Sequence, residues 1–388
     1  MRILHTSDWH VGRNLHGISL AHAHEAYFDH LVELVRSESL DAVLVSGDIY
    51  DRAIPPLESV ELLSDALGRL CSLTRVVLTS GNHDSATRLG FGAGLLRPEL
   101  AICSDAARVG EAVELPDRAG DVGAIVYALP YLDPDLTRHR LADGADVPER
   151  SHQGVLGAAV RRVEADLSRR RSSPSVRIPA VGMAHAFVRG GEPSDSERDL
   201  RVGGIGDVPV GLFGAELDYL ALGHLHGPQA VTGGVAARYS GSPVAFSFSE
   251  RNHTKSSVIV ELAPDSAPQV QVVEAPVVRR LVEITGPLED LLSGKHEGAA
   301  DAWVKAVVTD THRPEGMREL LLEHFPHAIV TLHVPGQALE EVRGVQTEGV
   351  DPYEVLESFV EEATGTVPSP DEVTVLRDAY ESARGVVA

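Results

Sequence analysis

The chain has 388 residues, which is enough for two or three domains with a large buried core. Hydrophobic residues make up 43% of the chain and charged residues 23%, a composition that excludes a collagen-like, coiled-coil or wholly disordered protein. The 34 basic and 57 acidic side chains give a formal net charge of −23. A generic polybasic nucleic-acid binder is therefore excluded, and any polyanionic substrate must be held by a local site, a metal or a partner.

The cysteines and the start of the chain indicate where such a protein works. Cys71 and Cys103 have no ligand-like spacing, which argues against a disulfide framework and a cysteine zinc site and favours a reducing compartment. The first residues lead at once into Asp8 and His10 without a signal-peptide core, and no apolar run reaches the roughly 18 residues of a membrane span. We therefore expect a cytoplasmic protein with no membrane partner.

Short apolar runs alternate with helical stretches up to about residue 275, which predicts an α/β domain. Several runs are apolar throughout, as expected for strands that are covered on both faces. The predicted strands are residues 2–5, 42–46, 75–79, 124–129, 180–184, 219–222 and 257–262. The predicted helices span about residues 20–38, 57–70 and 155–169.

The periodic pattern is lost near residues 263–277, which marks a domain boundary. Beyond it, predicted strands at 280–284, 303–308 and 328–334 and a helix at 314–324, with Pro314 in its first turn, indicate a small α+β unit. Two short amphipathic helices follow, the first from Asp351 with Phe359 on its apolar stripe and the second from the capping box Ser369–Glu372. These patterns predict domains at residues 1–275, 276–349 and 350–388.

Polar side chains follow five of the predicted strands, at the point where each strand ends. They are Asp8-Trp9-His10, Gly47-Asp48-Ile49-Tyr50-Asp51, Gly81-Asn82-His83-Asp84, the single His185, and Gly223-His224-Leu225-His226. Because sites in an open α/β sheet form at the carboxyl ends of the strands, we expect these side chains to converge on one edge. The glycines at 47, 81 and 223 would let the backbone turn sharply there.

The side chains at these strand ends offer oxygen and imidazole ligands and no thiolate. The candidate ligands are Asp8, His10, Asp48, Asn82, His185, His224 and His226. Such donors suit borderline to hard divalent metals such as Mn²⁺, Fe²⁺ or Zn²⁺. One ion does not need seven ligands, whereas two ions that share a carboxylate would use them all. Two metals about 3.5–4 Å apart form a clamp for in-line displacement at phosphorus.

Each cluster also has an ordinary structural explanation when it is taken alone. Asp-x-His and Gly-Asp occur widely in turns, and a lone histidine such as His185 is more often a hydrogen-bonded core residue than a ligand. Gly-Asn-His-Asp and Gly-His-x-His are more specific, the latter because alternate side chains of an extended segment share a face. The occurrence of all five in this order, each at a strand end, argues against five unrelated explanations.

At these residues the sequence resembles the calcineurin-like metallophosphoesterase superfamily and, more narrowly, its SbcD family of bacterial nuclease subunits. The matching segments are MRILHTSDWHVG at 1–12, GNHDS at 81–85, ALGHLH at 221–226 and YSGSP at 239–243. The resemblance runs to about residue 260. It implies a fold of the α/β class, a two-sheet β-sandwich flanked by helices, to which a small α+β cap domain and a C-terminal helix pair are added.

The resemblance also implies a role for each candidate residue. One metal would be held by Asp8, His10, Asp48 and His226, and the other by Asp48, Asn82, His185 and His224, with Asp48 bridging. His83 would bind no metal and would protonate the leaving oxygen or stabilise the transition state. Asp51 would orient His83, since a nearby carboxylate favours the charged imidazole that a general acid requires. The sequence departs from the family at Ala184, where glycine is frequent, and some relatives carry a second histidine in place of Asp51.

The function implied by the resemblance is that of a metal-dependent DNA nuclease subunit. It would act as a double-strand exonuclease and single-strand endonuclease in DNA repair, recombination and replication, in the nucleoid region of the cytoplasm. Two divalent ions, Mn²⁺ above all, would be its cofactors and would supply the local positive potential that the chain lacks. An SbcC-type ATPase would be its partner, and the protein would form a homodimer within a heterotetramer. The helices after residue 350 would either bind this ATPase or pack on the chain's own surface.

Two other functions remain compatible with the same motifs. The chain could be a different calcineurin-like phosphoesterase that acts on small or protein phosphoesters, although such a substrate needs neither a cap nor a terminal helix pair. It could also be a non-catalytic interaction module that is stabilised by metals. The presence of His83 among the ligands argues against this last function, because a structural metal site needs no acid beside it.

Overall fold

The computed structural model of the chain describes residues 1–117, 119–172, 177–197, 207–214, 216–335, 353, 355–357, 360 and 368–385. The strands are β1 (Arg2–Thr6), β2 (Asn14–Leu15), β3 (Ile18–Ser19), β4 (Ala42–Ser46), β5 (Arg75–Thr79), β6 (Leu100–Cys103), β7 (Val113–Pro116), β8 (Val122–Leu129), β9 (Ala180–His185), β10 (Tyr219–Gly223), β11 (Gln229–Val231), β12 (Ala236–Tyr239), β13 (Ser256–Glu261), β14 (Gln269–Glu274), β15 (Leu281–Gly286), β16 (Trp303–Val308) and β17 (Ala328–His333). The helices are α1 (Ala21–Ser37), α2 (Leu57–Cys71), α3 (Ala86–Leu89), α4 (Pro134–Thr137), α5 (His152–Arg171), α6 (Leu288–Leu292), α7 (Met317–His324) and α8 (Pro370–Gly385).

Two six-stranded sheets form the larger part of the molecule. The first has the strand order β14-β13-β1-β4-β5-β6 and the second the order β11-β12-β10-β9-β8-β7. Strands β1, β4, β5 and β6 are parallel in the first sheet, and β8, β9, β10 and β12 are parallel in the second. The outer strands β7, β11, β13 and β14 pair antiparallel. The parallel strands place the carboxyl ends that carry the polar motifs at shared edges.

The two sheets pack face to face and helices cover their outer faces. Leu44, Val77 and Met183 lie in the core between the sheets, and all three are fully buried. Phe28 of α1 packs with the core on the outside of the first sheet, and Val155 of α5 packs with the core on the outside of the second. The central strands are buried on both faces, which is why they read as continuous apolar runs. The predicted α/β two-sheet sandwich flanked by helices is confirmed.

A smaller unit follows the sandwich. Its parallel strands β15, β16 and β17 pack with α6 and α7 around a core that includes Val304 and Leu321. Helix α7 begins at Met317, after Gly316 with φ 64°, so the prediction that Pro314 lies in its first turn is wrong. Gly316 ends the preceding turn in the left-handed conformation, which glycine adopts readily, and the helix starts only after it.

The boundary predicted at residues 263–277 contains a strand that the sequence analysis did not predict. Strand β14 forms the edge of the first sheet through its pairing with β13, although its side chains are mostly exposed. Its sequence QVQVVE alternates polar and apolar residues, but Val270 and Val272 are 42% and 44% exposed, and Val273 packs only partly against the core. The three predicted domain ranges stay predictions.

The predicted capping box is present at the start of α8. The backbone N–H and the hydroxyl of Ser369 donate to the Glu372 carboxylate at 2.8 and 2.7 Å, and the Glu372 N–H donates to Ser369 Oγ at 3.4 Å. The helix predicted from Asp351 lies largely outside the described residues, and so does Phe359. Among the helices that the structure describes, none combines the length and the apolar composition needed to cross a membrane.

Candidate metal centre

The ends of β4, β9 and β10 meet where the two sheets come together. Ser46, the last residue of β4, donates its hydroxyl to the Ala221 carbonyl of β10 at 3.0 Å. Its own carbonyl accepts a hydrogen bond from Nδ1 of His185, the last residue of β9, also at 3.0 Å. This contact joins strand ends from both sheets into one rim, as the order of the motifs predicts.

The three motif glycines allow this close approach. A Cβ on Gly223 would lie 1.7 Å from the Ser46 carbonyl oxygen, and a Cβ on Gly81 would lie 2.1 Å from Asp48 Oδ1. Gly47 has φ +80°, and a Cβ there would lie 2.2 Å from His185 Nδ1. Only Gly47 of the three has a positive φ, so only at Gly47 does the backbone conformation itself favour glycine. At Gly81 and Gly223 a side chain is excluded because there is no room for one.

Four of the predicted ligands have an unusual backbone conformation. The φ angles are 54° at Asp8, 45° at His10, 47° at Asp48 and 110° at His224. Non-glycine residues rarely adopt positive φ, and the strain costs of the order of 1–3 kcal/mol each. Hydrogen bonds between the loops maintain this backbone conformation: Asp8 N–H donates to the Gly47 carbonyl at 3.1 Å, and His10 N–H donates to the Asp48 carbonyl at 2.9 Å. Strain of this kind concentrates at functional sites.

A first group of donor atoms comes from Asp8, His10 and His226. All three residues are buried, and their donor atoms lie within 4.8 Å of one another. Nε2 of His10 lies 3.1 Å from Nε2 of His226 and 3.4 Å from Oδ2 of Asp48. Two imidazole nitrogens facing each other beside a carboxylate are a donor set that fits a divalent cation.

A second group lies on the other side of Asp48. Donor atoms of Asp8, Asp48 and His185 lie within 4.8 Å of one another. Asn82 Oδ1 lies 2.9 Å from His185 Nε2 and 3.3 Å from His224 Nδ1. Asp48 Oδ2 is 3.4 Å from Nε2 of His185, the same distance as from Nε2 of His10. The structure thus brings all seven predicted side chains together, with the Asp48 carboxylate between the two groups.

The electrostatics of these buried groups favour a cation. Burial raises the pKa of Asp8 to about 6, and burial lowers the pKa of His10 to about 3. Burial alone would raise the pKa of Asp48, but the neighbouring His185 and His10 hold it well below its ordinary value. Burial alone would likewise lower the pKa of His185, but the charge of Asp48 raises it to about 9. The carboxylates therefore keep the His185 ring protonated. A bound cation would replace that proton.

His83 and Asp51 lie beside the donor groups and contact each other. His83 N–H donates to Asp48 Oδ1 at 2.9 Å, and the ring of His83 packs edge-on against that of His10 with centroids 4.7 Å apart. Nδ1 of His83 donates to the backbone carbonyl of Asp51 at 2.8 Å. The Asp51 carboxylate instead faces Arg13 Nη1 at 3.1 Å and His10 Nδ1 at 3.7 Å. The contact that orients His83 is therefore made by a carbonyl, whereas the resemblance implies a carboxylate.

Comparison with known proteins places the chain in a family. The model of the calcineurin-like phosphoesterase family matches residues 1–228, and that of the type 5 capsule protein repressor C-terminal domain matches residues 277–364. The D subunit of the nuclease SbcCD of Rhodobacter capsulatus is 38% identical over 311 residues, 76% of this chain and 75% of that protein. The D subunit of the nuclease SbcCD of Bacillus subtilis is 30% identical over 385 residues, 97% of this chain and 96% of that protein.

The chain belongs to the SbcD family of calcineurin-like phosphoesterases. The predicted family and the predicted enzyme class, a hydrolase acting on phosphoester bonds, are confirmed. Among solved structures, TT1561 of Thermus thermophilus aligns with a TM-score of 0.38 at 15% identity and covers 70% of this chain and 98% of that chain. The ligand role of each individual residue remains a prediction.

Asp84 has a role in this phosphoesterase that the sequence analysis did not assign. Its carboxylate accepts hydrogen bonds from the N–H groups of Gly81 at 2.9 Å, Ile49 at 3.0 Å and Tyr50 at 2.9 Å. It therefore ties the loop that carries His83 to the loop that carries Asp48. Burial and the charge of Asp48 raise the pKa of Asp84 to about 7. Its place in the Gly-Asn-His-Asp motif was the only signal in the sequence.

A second set of residues missed by sequence reasoning lies behind His226. Glu197 Oε1 accepts a hydrogen bond from His226 N–H at 2.7 Å. Ser196 Oγ contacts the ring nitrogen Nδ1 of His226 at 2.5 Å, and Glu250 lies next to Ser196. These residues belong to loops and a short 3₁₀ turn without periodic pattern, so no feature of the sequence marks them.

Proposed function

We propose that this phosphoesterase is a two-metal DNA nuclease subunit. It hydrolyses DNA phosphodiester bonds, as a double-strand exonuclease and a single-strand endonuclease, in DNA end processing, repair and recombination. The observation that supports this function best is the convergence of seven oxygen- and nitrogen-donor residues, Asp48 at their centre, in a chain whose relatives are named as D subunits of the nuclease SbcCD. We propose the nucleoid region of the cytoplasm, where the DNA lies, as its location.

The donor set fits two divalent ions, and we propose Mn²⁺. One ion would be held by Asp8, His10, Asp48 and His226, and the other by Asp48, Asn82, His185 and His224. When bound, such ions polarise phosphoryl oxygens and acidify a water for attack at phosphorus. They also add local positive charge to a chain with a net charge of −23, which a DNA substrate requires.

His83 is the residue that we propose as the general acid. Its Nδ1 donates to the Asp51 carbonyl, which fixes the plane of the ring and leaves Nε2 as the nitrogen that exchanges a proton with the departing 3′ oxygen. Asp51 acts as a positioning residue in two ways, since its carbonyl orients His83 while its carboxylate holds Arg13 beside His10.

We propose an SbcC-type ATPase as the partner, with α8 as part of the docking surface. The Tyr380 ring of α8 contacts Tyr353 at 5.5 Å between centroids, and Arg377 lies 5.1 Å above the Tyr353 ring. Val375 of α8 is nonetheless 67% exposed, and Val355 is 37% exposed. Contacts between the terminal segments thus leave apolar side chains for a partner to cover. Val375→Asp should abolish co-purification with the ATPase and leave hydrolysis of a small diester unchanged.

We also propose a homodimer within a heterotetramer. Four large apolar side chains are exposed at the start of α2 and in the segment that follows α3: Ile54 by 67%, Leu57 by 70%, Phe91 by 87% and Leu95 by 91%. Arg88 of α3 donates to the Ala53 carbonyl at 3.1 Å, which holds α3 next to the segment before α2. We take these four side chains as one apolar patch, and exposed apolar patches mark interfaces between subunits.

One experiment separates the proposed function from its alternatives. The purified chain is incubated with Mn²⁺ and either linear duplex DNA or bis-p-nitrophenyl phosphate, with His83→Gln as the matched variant. DNA degradation that is lost in the variant supports the nuclease. Hydrolysis of the small diester alone supports a different phosphoesterase, and Mn²⁺ binding without turnover of either substrate supports a non-catalytic module.

A further inference from the structure

On the side away from the metal centre, the His226 ring contacts a series of buried, hydrogen-bonded side chains. Its Nε2 lies at the metal centre, 3.1 Å from His10 Nε2, and its Nδ1 lies 2.5 Å from Ser196 Oγ. The same Ser196 oxygen contacts Glu250 Oε1. His226 and Glu250 are each 1% exposed and Ser196 is 8% exposed, so water has little access to these contacts.

This series of side chains ends in an ion pair. Glu250 Oε2 is paired with the Lys255 ammonium, which is 4% exposed. Lys255 also donates to the His226 carbonyl at 3.0 Å and to Ser242 Oγ at 2.9 Å. A buried carboxylate beside a buried ammonium is ionised, and an ionised carboxylate can only accept hydrogen bonds.

The direction of the hydrogen bonds follows from this charge. Since Glu250 can only accept, the single hydroxyl proton of Ser196 is donated to Glu250. Ser196 Oγ must then accept from His226, which puts the ring proton on Nδ1. The lone pair of the neutral ring is thereby left on Nε2, the nitrogen at the metal centre.

We propose that Ser196, Glu250 and Lys255 act as positioning residues that fix His226 in the Nδ1–H tautomer. They thereby keep its Nε2 unprotonated, as binding of the metal ion that it would share with Asp8, His10 and Asp48 requires. This inference rests on the proposed function in that it takes His226 as a metal ligand. The Nδ1 proton of His185 is held by a backbone carbonyl, that of Ser46, which no substitution removes. The tautomer of His226 depends on side chains and is therefore open to mutation.

Metal titration of three serine variants tests the proposal. Loss of an outer hydrogen-bond partner of a ligating histidine costs about 10–100-fold in metal affinity. Ser196→Ala should weaken one of the two Mn²⁺ affinities by this factor in titration calorimetry, and Ser196→Thr, which keeps the hydroxyl, should restore it. Ser194→Ala is the matched control, because Ser194 lies in the same loop and contacts Ser196 and Glu197 but is not hydrogen-bonded to His226 in the described contacts.

Nuclear magnetic resonance of ¹⁵N-histidine-labelled, metal-free protein shows which ring nitrogen of His226 carries the proton. A purely structural role of Ser196 in packing the loop would leave this result unchanged. The His226 signals, assigned with His226→Gln, should show a protonated Nδ1 and a bare Nε2, and Ser196→Ala should give a mixture of tautomers. Glu250→Gln should also mix the tautomers, with thermal unfolding measured to establish that the variant is folded.

Three results would overturn the proposal. They are a wild-type ring with its proton on Nε2, unchanged Mn²⁺ affinity in Ser196→Ala, and an equal loss of affinity in Ser194→Ala, which would assign the effect to the loop. The tautomer is read without metal, so a chain that holds the predicted tautomer but binds no Mn²⁺ would refute the proposed function and leave the hydrogen-bond direction established.

Discussion

Replacement of Gly223 by alanine tests whether the two sheets must touch at the metal centre. The Cβ of the new side chain would lie 1.7 Å from the carbonyl oxygen of Ser46, 2.9 Å from its carbonyl carbon and 3.0 Å from Nδ1 of His185. Two of these three atoms belong to the backbone of a buried strand, so no flexible side chain can move aside to make room.

The size of the expected effect follows from these distances. Contacts of Cβ atoms essentially never fall below 3.0 Å, so Gly223 and Ser46 must separate by about 1.3 Å or more. Overpacking of this kind costs about 1–3 kcal/mol of folding stability. Metal ligands need to stay within about 0.2 Å of their distances, and a misplacement of about 1 Å costs about 10²-fold in rate. We expect Gly223→Ala to lose about 10²-fold in both Mn²⁺ affinity and turnover.

The assay combines three measurements on the purified variant. Calorimetry gives Mn²⁺ affinity and stoichiometry, hydrolysis of bis-p-nitrophenyl phosphate gives turnover, and thermal unfolding shows whether the variant is folded. Gly234→Ala is the matched control, because a Cβ there meets no heavy atom within 4 Å and its φ is not positive. If Gly223→Ala bound two Mn²⁺ ions and turned over substrate as the wild type does, the close approach of the strand ends would not be what shapes the site.

Three further predictions concern His83, His185 and the exposed apolar patch. His83→Gln should lower turnover by about 10²–10⁴-fold with Mn²⁺ stoichiometry unchanged in calorimetry, and loss of an ion would show that His83 is a ligand instead. His185 has a pKa raised to about 9, so at pH 7 the metal-free ring is protonated and the cation must displace that proton. Mn²⁺ affinity should therefore rise with pH up to about 9, and calorimetry in two buffers of different ionisation enthalpy should detect proton release, whose absence would contradict the raised pKa. Leu95→Glu should convert a dimer to a monomer in light scattering, whereas Leu136→Glu, at another exposed leucine, should not; a Leu95→Glu dimer would exclude the patch as the interface.

The central strands were predictable because they are buried on both faces. Residues 42–46 and 75–79 form strands with the bounds that the apolar runs indicate. The edge strand β14 was not predictable in this way, since it is not a continuous apolar run: its residues alternate as QVQVVE, most of its side chains are exposed, and it joins the sheet through backbone pairing with β13. Continuous apolar runs report burial on both faces, and they miss a strand whose side chains are mostly exposed.

The metal centre was predictable for a topological reason. Once Asp8, Asp48 and Asn82 follow parallel strands of one sheet, and His185 and His224 those of another, the carboxyl ends bring them to a shared rim. The atoms that orient these side chains were not predictable. The Asp51 carbonyl that holds His83 is a backbone group present at every position, so its role depends on distance alone.

The amino-acid sequence by itself determined which side chains are available for metal chemistry and which strand ends carry them, because residue type and apolar periodicity are local properties of the chain. Only the tertiary structure decided that Gly223 must lack a side chain, that Asp84 ties two loops together and that Ser196 connects His226 to Glu250. Those relations join residues far apart in the sequence, and they arise only when the two sheets pack close enough for one strand end to touch another.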